Sequence, residues 1–451
     1  MATERRTART HDRALWARTG AAGAALALAL AGCGVLMPGA GKGVDSTVAG
    51  PGVSDDAVKV VFVAVDLDAV QDATGFKTAS IGDPEKQVAA LEKWVNENGG
   101  LGGRKLDAVL RWYDAQVDSP AAEEQLCNQV SQDDQAFAVV LTGQFQSNAR
   151  PCYAQRNTLM LDATLVANDT EIYDELDPYL WTASYPEYDA FTSSYIDALD
   201  KQGFFEGRDK VAIVAADNPV NRRAIEKRAV KQLKELGVTP EVGWVDTTDI
   251  GTIYQGEEQA AITFASKKVD RVMFLGGSRL ASIFATIAGS KGFKARYAIS
   301  TFDNPSFFVN NPETVPSETM TGMVGIGFQP AQDVQDAKLA FPRPGAESEC
   351  LDIYKASGIT FDTREGARVA LPFCDAARLL KLGADDVSGA FNAATWSAAV
   401  ETVGAQFETA SGFGTGLGGP SRSAAGAYRF LRFDDECSCF TYEGDDVPFT
   451  K

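Results

Sequence analysis

From residue 58 onward, apolar β segments alternate with amphipathic helical segments, and this alternation restricts the chain to α/β architectures with parallel sheets. The run VKVVFVAV at 58–65 is nearly unbroken in apolar residues, as expected of a strand buried on both faces. The spacing of Val88, Leu91, Trp94 and Val95 predicts a helix over 84–98, stopped by Gly99 and Gly100. Further strands are expected at 106–113, 136–141 and 158–161. Helices are expected at 119–132, with Ser119 as N-cap and Pro120 at the first helical position, and at 148–156. A second series follows: helices at 188–202, 221–236, 257–267 and 278–290, and strands at 210–216, 242–245, 271–275 and 297–300. A strand at 323–328 then leads to helices at 346–357 and 364–383 and to terminal strands at 428–433 and 438–442. Two successive series imply two α/β lobes. Such sheets bind ligands beyond the carboxyl ends of their strands, so a cleft between the lobes is the expected site, with hinge closure as its mechanism.

The first 33 residues read differently. Arg5, Arg6, Arg9, Arg13 and Arg18 form a basic start, and 20–31 is an uncharged run of mostly Ala and Leu. That run is shorter than the ~20 residues a membrane span needs. It closes with Leu30-Ala31-Gly32-Cys33, which resembles the lipobox of bacterial lipoproteins. The resemblance implies export, cleavage before Cys33 and diacylglycerol on its thiol, hence a lipid anchor at the outer face of the cell membrane. An ordinary secretory signal containing a Cys is the alternative. Residues 34–56, rich in Gly, Pro, Ser and Val, are expected to be a flexible tether.

Composition narrows the function. The net charge is −19, which argues against nucleic acid, whose affinity rests on Lys and Arg. The only histidine is His11, within the signal, so the mature chain offers no Ser-His-Asp or Cys-His catalysis, no His-based zinc site and no His switch. With Cys33 lipidated, Cys127, Cys152, Cys350, Cys374, Cys437 and Cys439 remain, an even set that reads as disulfides in an exported protein. Cys127–Cys152 and Cys350–Cys374 are favoured, each joining consecutive helices. Cys437 and Cys439 are left as a C-x-C bridge or two free thiols. No metal or cofactor is expected. Gly414, Gly416 and Gly419 match GxGxxG by spacing, but no strand precedes them and Pro420 follows, so a mobile loop is expected.

The stretch from Trp94 to Lys105 (WVNENGGLGGRK), followed by Asp114, resembles the N-terminal signature of the leucine/isoleucine/valine-binding protein family. These are type I periplasmic binding proteins that serve branched-chain amino-acid ABC importers. The order of elements agrees over about 57–445. The resemblance implies two doubly wound parallel-sheet lobes joined by a three-crossing hinge, with crossings near 183–186, 322–327 and 426–429. The expected division is 57–184 with 324–427 as lobe I, and 185–323 with 428–451 as lobe II. It also implies a small-molecule ligand, a permease partner and a monomer.

The same resemblance points to the loop after the third strand, Gln144, Phe145, Gln146 and Ser147, as the carboxylate-binding turn. Ser147 is equally an N-cap candidate. Thr164 stands near the family's Ala-Thr contact. In the second lobe Asp217 follows a strand, with Val220 and Asn221 where amino-acid binders carry Tyr and Gly. Arg279 is either a carboxylate clamp or a surface residue near a helix end. Asp303 either holds an α-amino group or forms an Asx-turn before Pro305. Tyr185 and Phe302 are candidates for an apolar wall. The expected function is a solute-binding lipoprotein delivering a small polar molecule, an amino acid or related carboxylate or amide, to an ABC importer. A ligand-sensing receptor of the same fold is the second reading. An extracellular hydrolase using a carboxylate pair such as Asp217 and Asp303 is the third.

Overall fold

The computed structural model describes residues 46–67, 71, 77–78, 80–207 and 210–450, all within one compact unit spanning 39–451. Cys33, its signal and the first part of the expected tether lie outside the described residues. No described helix is long and apolar enough to cross a membrane.

The first lobe is built on a five-stranded sheet of β1 (Ala57–Val65), β2 (Lys105–Tyr113), β3 (Ala138–Thr142), β4 (Leu159–Ala163) and β5 (Leu180–Trp181), in the order β2-β1-β3-β4-β5. Every pairing is parallel, from Val60 against Ala138 to Leu161 against Trp181. The central strands are apolar on both faces because helices cover both. Helices Pro84–Glu97, Ala346–Lys355, Ala370–Asp385 and Ala393–Val403 share one core with this sheet. Edge-on pairs of Phe62 with Phe373 (5.3 Å) and Trp181 with Trp396 (5.4 Å) tie the returning helices to the strands.

The second sheet has seven strands in the order β12-β11-β10-β9-β8-β6-β7. β6 (Val211–Ala216), β7 (Glu241–Val245), β8 (Arg271–Leu275), β9 (Arg296–Ser300) and β10 (Val324–Gly327) run parallel. β11 (Ala427–Asp434) and β12 (Cys439–Pro448) add an antiparallel hairpin.

Both lobes therefore appear as two doubly wound series, with local differences from expectation. β10 pairs with β9 and β11 in the second sheet, so residues 324–327 belong to lobe II and the chain returns to lobe I after them. The end of the expected tether is docked on lobe I: Gly50 N–H donates to Phe391 O (2.9 Å), Val53 bridges Val58, and Lys59 N–H donates to Gly52 O (2.9 Å). Gly52, at φ +65°, packs against the backbone of 135–137, where a Cβ would lie 2.6 Å from Gln135 O. The long helix begins at Ala370 and not at 364, which keeps Pro372 in its first turn, where a missing N–H costs nothing. In the loop of 414–419 Gly416 N–H donates to Ala424 O (2.7 Å), and Arg422, beyond the loop, pairs with Asp177.

Three segments connect the lobes, and they bond to one another. Thr182 and Ala424 exchange bonds with the opposite crossing: Thr182 N–H donates to Arg422 O (2.9 Å) and Ala424 N–H to Thr182 O (3.0 Å). Gln329, just after β10, donates its side-chain amide to Ser184 O (2.9 Å). Disulfides join Cys127 to Cys152, Cys350 to Cys374 and Cys437 to Cys439, the last linking the turn after β11 to the first residue of β12.

Candidate functional site

The carboxyl ends of the strands in both lobes face one shared cleft. The loop after β3 arises from Gly143, whose φ of +78° turns the chain sharply where a Cβ would lie 2.5 Å from Val65. In lobe II, Gly277 at φ +96° opens helix Ser278–Ser290 and brings its first turn to the cleft. Between the lobes lies a cavity of ≈ 30 Å³, lined by Phe145, Ala167, Tyr188, Asn218, Asn221, Arg279 and Phe302 among others. That holds only one or two waters, so the cleft is closed.

Closure rests on polar contacts that cross it. Arg279 of lobe II reaches Asp118 of lobe I (Nη2–Oδ2 2.9 Å), its guanidinium 3.8 Å above the centre of the Phe145 ring. Asp118 also accepts from the Tyr113 hydroxyl (2.7 Å) and from Gln146 Nε2 (2.9 Å), and the same Gln146 amide donates to Thr247 O across the cleft (2.9 Å). Burial lowers the Arg279 pKa, and Asp118 opposes that shift. At the rim, Arg223 makes a two-pronged contact with the buried Asp169 (2.6 and 2.8 Å).

The sequence candidates separate into groups. Phe145 and Arg279 line the cavity, as does Phe302; Gln146 holds the contact that flanks it. Gln144 is buried beside Phe145, and neither its amide nitrogen nor its oxygen has a partner among the described residues. Ser147 is half-buried and makes no side-chain cap to the following helix. Thr164 faces inward: its hydroxyl donates to Asp162 (2.7 Å) and accepts from Arg150 (3.0 Å), within a buried network that also holds Asn168. Asp217 is turned outward to Arg222 (2.6 Å). Asp303 does not line the cavity, because its Oδ2 accepts from the Ser300 N–H (2.8 Å) and hydroxyl (2.9 Å) as a capping box at the end of β9. Burial pushes its carboxyl up to about 8. Tyr185 lies in the hinge, where it accepts from Gln332 Nε2 (2.8 Å) and packs 5.8 Å from Phe302 and 6.0 Å from Phe328.

Several cleft residues were not singled out from sequence. Tyr188 reads as the first turn of a helix, and Asp118 as the residue before an N-cap. Thr247 had a usable signal, since it lies two residues past the end of the strand at the cleft edge. Asn221 lines the cavity with its Oδ1 unpartnered among the described residues.

A family model described as periplasmic binding protein matches residues 69–341. A search of curated proteins found no match. Solved structures resemble the chain in fold. One is a possible leucine/isoleucine/valine-binding protein from Rhodopirellula baltica (13% identity, TM-score 0.59, covering 87% of this chain and 97% of that one). A second is a solute-binding protein of an ABC transporter from Rhodopseudomonas palustris in complex with 3,4-dihydroxybenzoic acid (15%, 0.56, 88% and 99%). A third is a branched-chain amino-acid transporter substrate-binding protein from Streptococcus pneumoniae in complex with isoleucine (14%, 0.55, 87% and 100%).

Proposed function

We propose that this chain, which belongs to the periplasmic binding protein family, captures a small carboxylate or amide solute between its lobes and delivers it to an ABC importer. The observation that supports this reading is Arg279, carried by one lobe and closed onto Asp118 and Phe145 of the other directly over the cavity. A solute carboxylate entering an open cleft would meet that guanidinium in place of Asp118, with the Phe145 and Phe302 rings beside it and Asn221 Oδ1 available to accept from a solute N–H. Relatives of the same fold hold isoleucine in one case and 3,4-dihydroxybenzoic acid in another, so one scaffold serves solutes of different shape. Capture and release require no bond-making. Lipid on Cys33 would keep the domain beside its permease.

Mass spectrometry of small molecules released from freshly purified protein, followed by a thermal-shift screen of carboxylates and amides, tests the capture. The expected result is a solute that raises the melting temperature and binds with one-to-one stoichiometry. A broad library without a single stabilising solute would overturn the reading. Replacing Cys33 by Ser should release a folded protein into the medium, and retention on the membrane would refute the anchor.

A further inference from the structure

The disulfide between Cys437 and Cys439 spans a single residue, Ser438, where the turn after β11 meets β12. The turn does not depend on that bridge. Asp434 and Cys439 are partners across the antiparallel ladder of β11 and β12. Asp434 Oδ1 accepts from the Glu436 N–H (2.9 Å). Thr321 Oγ1 donates to Asp435 Oδ1 (2.6 Å), which ties the turn to the segment before β10. A bridge that closes so short a loop also restricts the unfolded chain very little. Cys437–Cys439 therefore adds little to the fold, whereas Cys127–Cys152 and Cys350–Cys374 each join two helices of lobe I.

Exposure separates the three bridges as well. Cys350 and Cys374 are both buried, and Cys127 is buried beside a half-buried Cys152. Cys437 is exposed, and its partner Cys439 is buried at the first position of β12. In thiol–disulfide exchange an incoming thiolate must reach one sulfur while the other leaves, so exposed bridges are the labile ones. The asymmetry assigns the roles, with Cys437 the sulfur attacked and Cys439 the sulfur that departs. The surroundings select the attacker. Asp434, Asp435 and Glu436 immediately precede Cys437, and Asp435 and Glu436 are exposed, so an anionic thiol is repelled and a neutral or cationic one is favoured. Gly327 pairs with Arg429 and Val324 with Arg432, so the turn after Asp434 lies at the amino end of β10, opposite to the cleft.

We propose that Cys437–Cys439 is a thiol–disulfide exchange site that accepts two electrons from a dithiol on the neutral or basic face of an exported protein. One thiolate of the dithiol attacks Cys437 Sγ, forms a mixed disulfide and releases Cys439 as a thiolate. The second sulfur of the dithiol, also as a thiolate, then attacks the first and releases Cys437. The dithiol departs as a disulfide, oxidised by two electrons, and the two protons it gave up go to Cys437 and Cys439. The exchange is reversible, because the strand ladder and the side-chain bonds hold the turn in either state. It is independent of the cleft solute.

The test begins with the unmodified full chain in detergent at pH 8, titrated with dithiothreitol without denaturant. Free thiols are trapped with iodoacetamide and located by peptide mass spectrometry. Cys437 and Cys439 should be labelled at a dithiothreitol concentration about tenfold or more below that needed for the other four bridged cysteines. The melting temperature of this partly reduced protein should fall by only a few degrees. Cys439→Ser, which leaves Cys437 alone, should form a mixed disulfide with cystamine, whereas Cys437→Ser, which leaves the buried Cys439, should react far more slowly. Cationic cystamine should react with Cys439→Ser faster than anionic oxidised glutathione does, and added salt should narrow the gap. Reduction of all three bridges together, or of Cys437–Cys439 only on unfolding, would overturn the proposal whether or not the variants fold. Equal reactivity of the two variants, or oxidised glutathione matching cystamine at low salt, would overturn it as well.

Discussion

Replacing Arg279 by Met isolates the energetics of closure. The perturbation removes an ion pair between side chains that are 18% and 1% exposed, and a cation–π contact at 3.8 Å. Truncating one member of a buried pair costs about 3–5 kcal/mol, chiefly because the other charge stays buried. Here Asp118 keeps the Tyr113 hydroxyl and the Gln146 amide, so the lower end, about 3 kcal/mol, applies. Opening the cleft would let water reach Asp118. The loss therefore falls on the closed-to-open equilibrium and not on folding, since each lobe keeps its own core. At about 1.4 kcal/mol per decade, 3 kcal/mol is roughly a 150-fold shift toward the open form. Small-angle scattering of solute-free protein should show a more extended particle for Arg279→Met, while the melting temperature changes by only a few degrees. Asp118→Asn should open the cleft less, and the double variant should show strong non-additivity. An unchanged scattering profile would mean that packing and the Arg223–Asp169 contact hold the lobes together. A full 3 kcal/mol loss of folding stability without opening would equally refute the argument.

Glu257 is fully buried in helix Ile250–Ser266, and neither carboxylate oxygen has a partner among the described residues; Glu257→Leu should stabilise the protein by about 1–3 kcal/mol in urea unfolding, and destabilisation would show a hidden role. The disulfides should contribute unequally. Serine at both Cys127 and Cys152, separated by 25 residues, should cost about 3–4 kcal/mol in chemical denaturation, whereas serine at Cys437 and Cys439, separated by 2, should cost far less; equal losses would refute this ranking. Asp303 ionises near 8 in the fold and near 4 when unfolded, so the native state keeps a proton the unfolded chain has lost. Its contribution is therefore complete below pH 4 and is lost as the pH rises through 8, with a limiting slope of about 1.4 kcal/mol per pH unit. Asp303→Asn should flatten the stability profile between pH 5 and 7.5 by that amount, and an unchanged slope in urea melts would refute the assignment.

The α/β fold was legible because parallel strands buried on both faces leave long apolar runs, as in β1 and β8, and glycine marks the ends of the helices between them. Helix Ala393–Val403 was missed because its alanine-rich face carries little periodic contrast, although Asn392 and Thr395 form a capping box at its start. The docking of 48–56 was hidden for another reason. Gly- and Ser-rich composition signals few side-chain contacts, but this segment attaches through backbone hydrogen bonds, which composition does not encode. The candidate site was legible only at the level of loops. The sequence places residues 144–147 and 276–279 at strand ends. It does not reveal that Arg279 meets Asp118, because that pair is joined only when two lobes close. Nor can it tell whether the Asp303 carboxylate turns to a ligand or to Ser300, since the same residue type serves both.

The last strand carries a consequence for how copies of this protein tolerate crowding. β12 is the outer edge of the seven-stranded sheet, and an open edge of ten residues is a template for pairing with another chain. This edge is spoiled along its length. Glu443, Asp445 and Asp446 are exposed, Gly444 has a φ of +71°, the register slips against β11 between Tyr428 and Phe430, and Pro448 ends the strand without an N–H to offer. Strand-to-strand pairing with another copy is thereby disfavoured at this edge of the sheet.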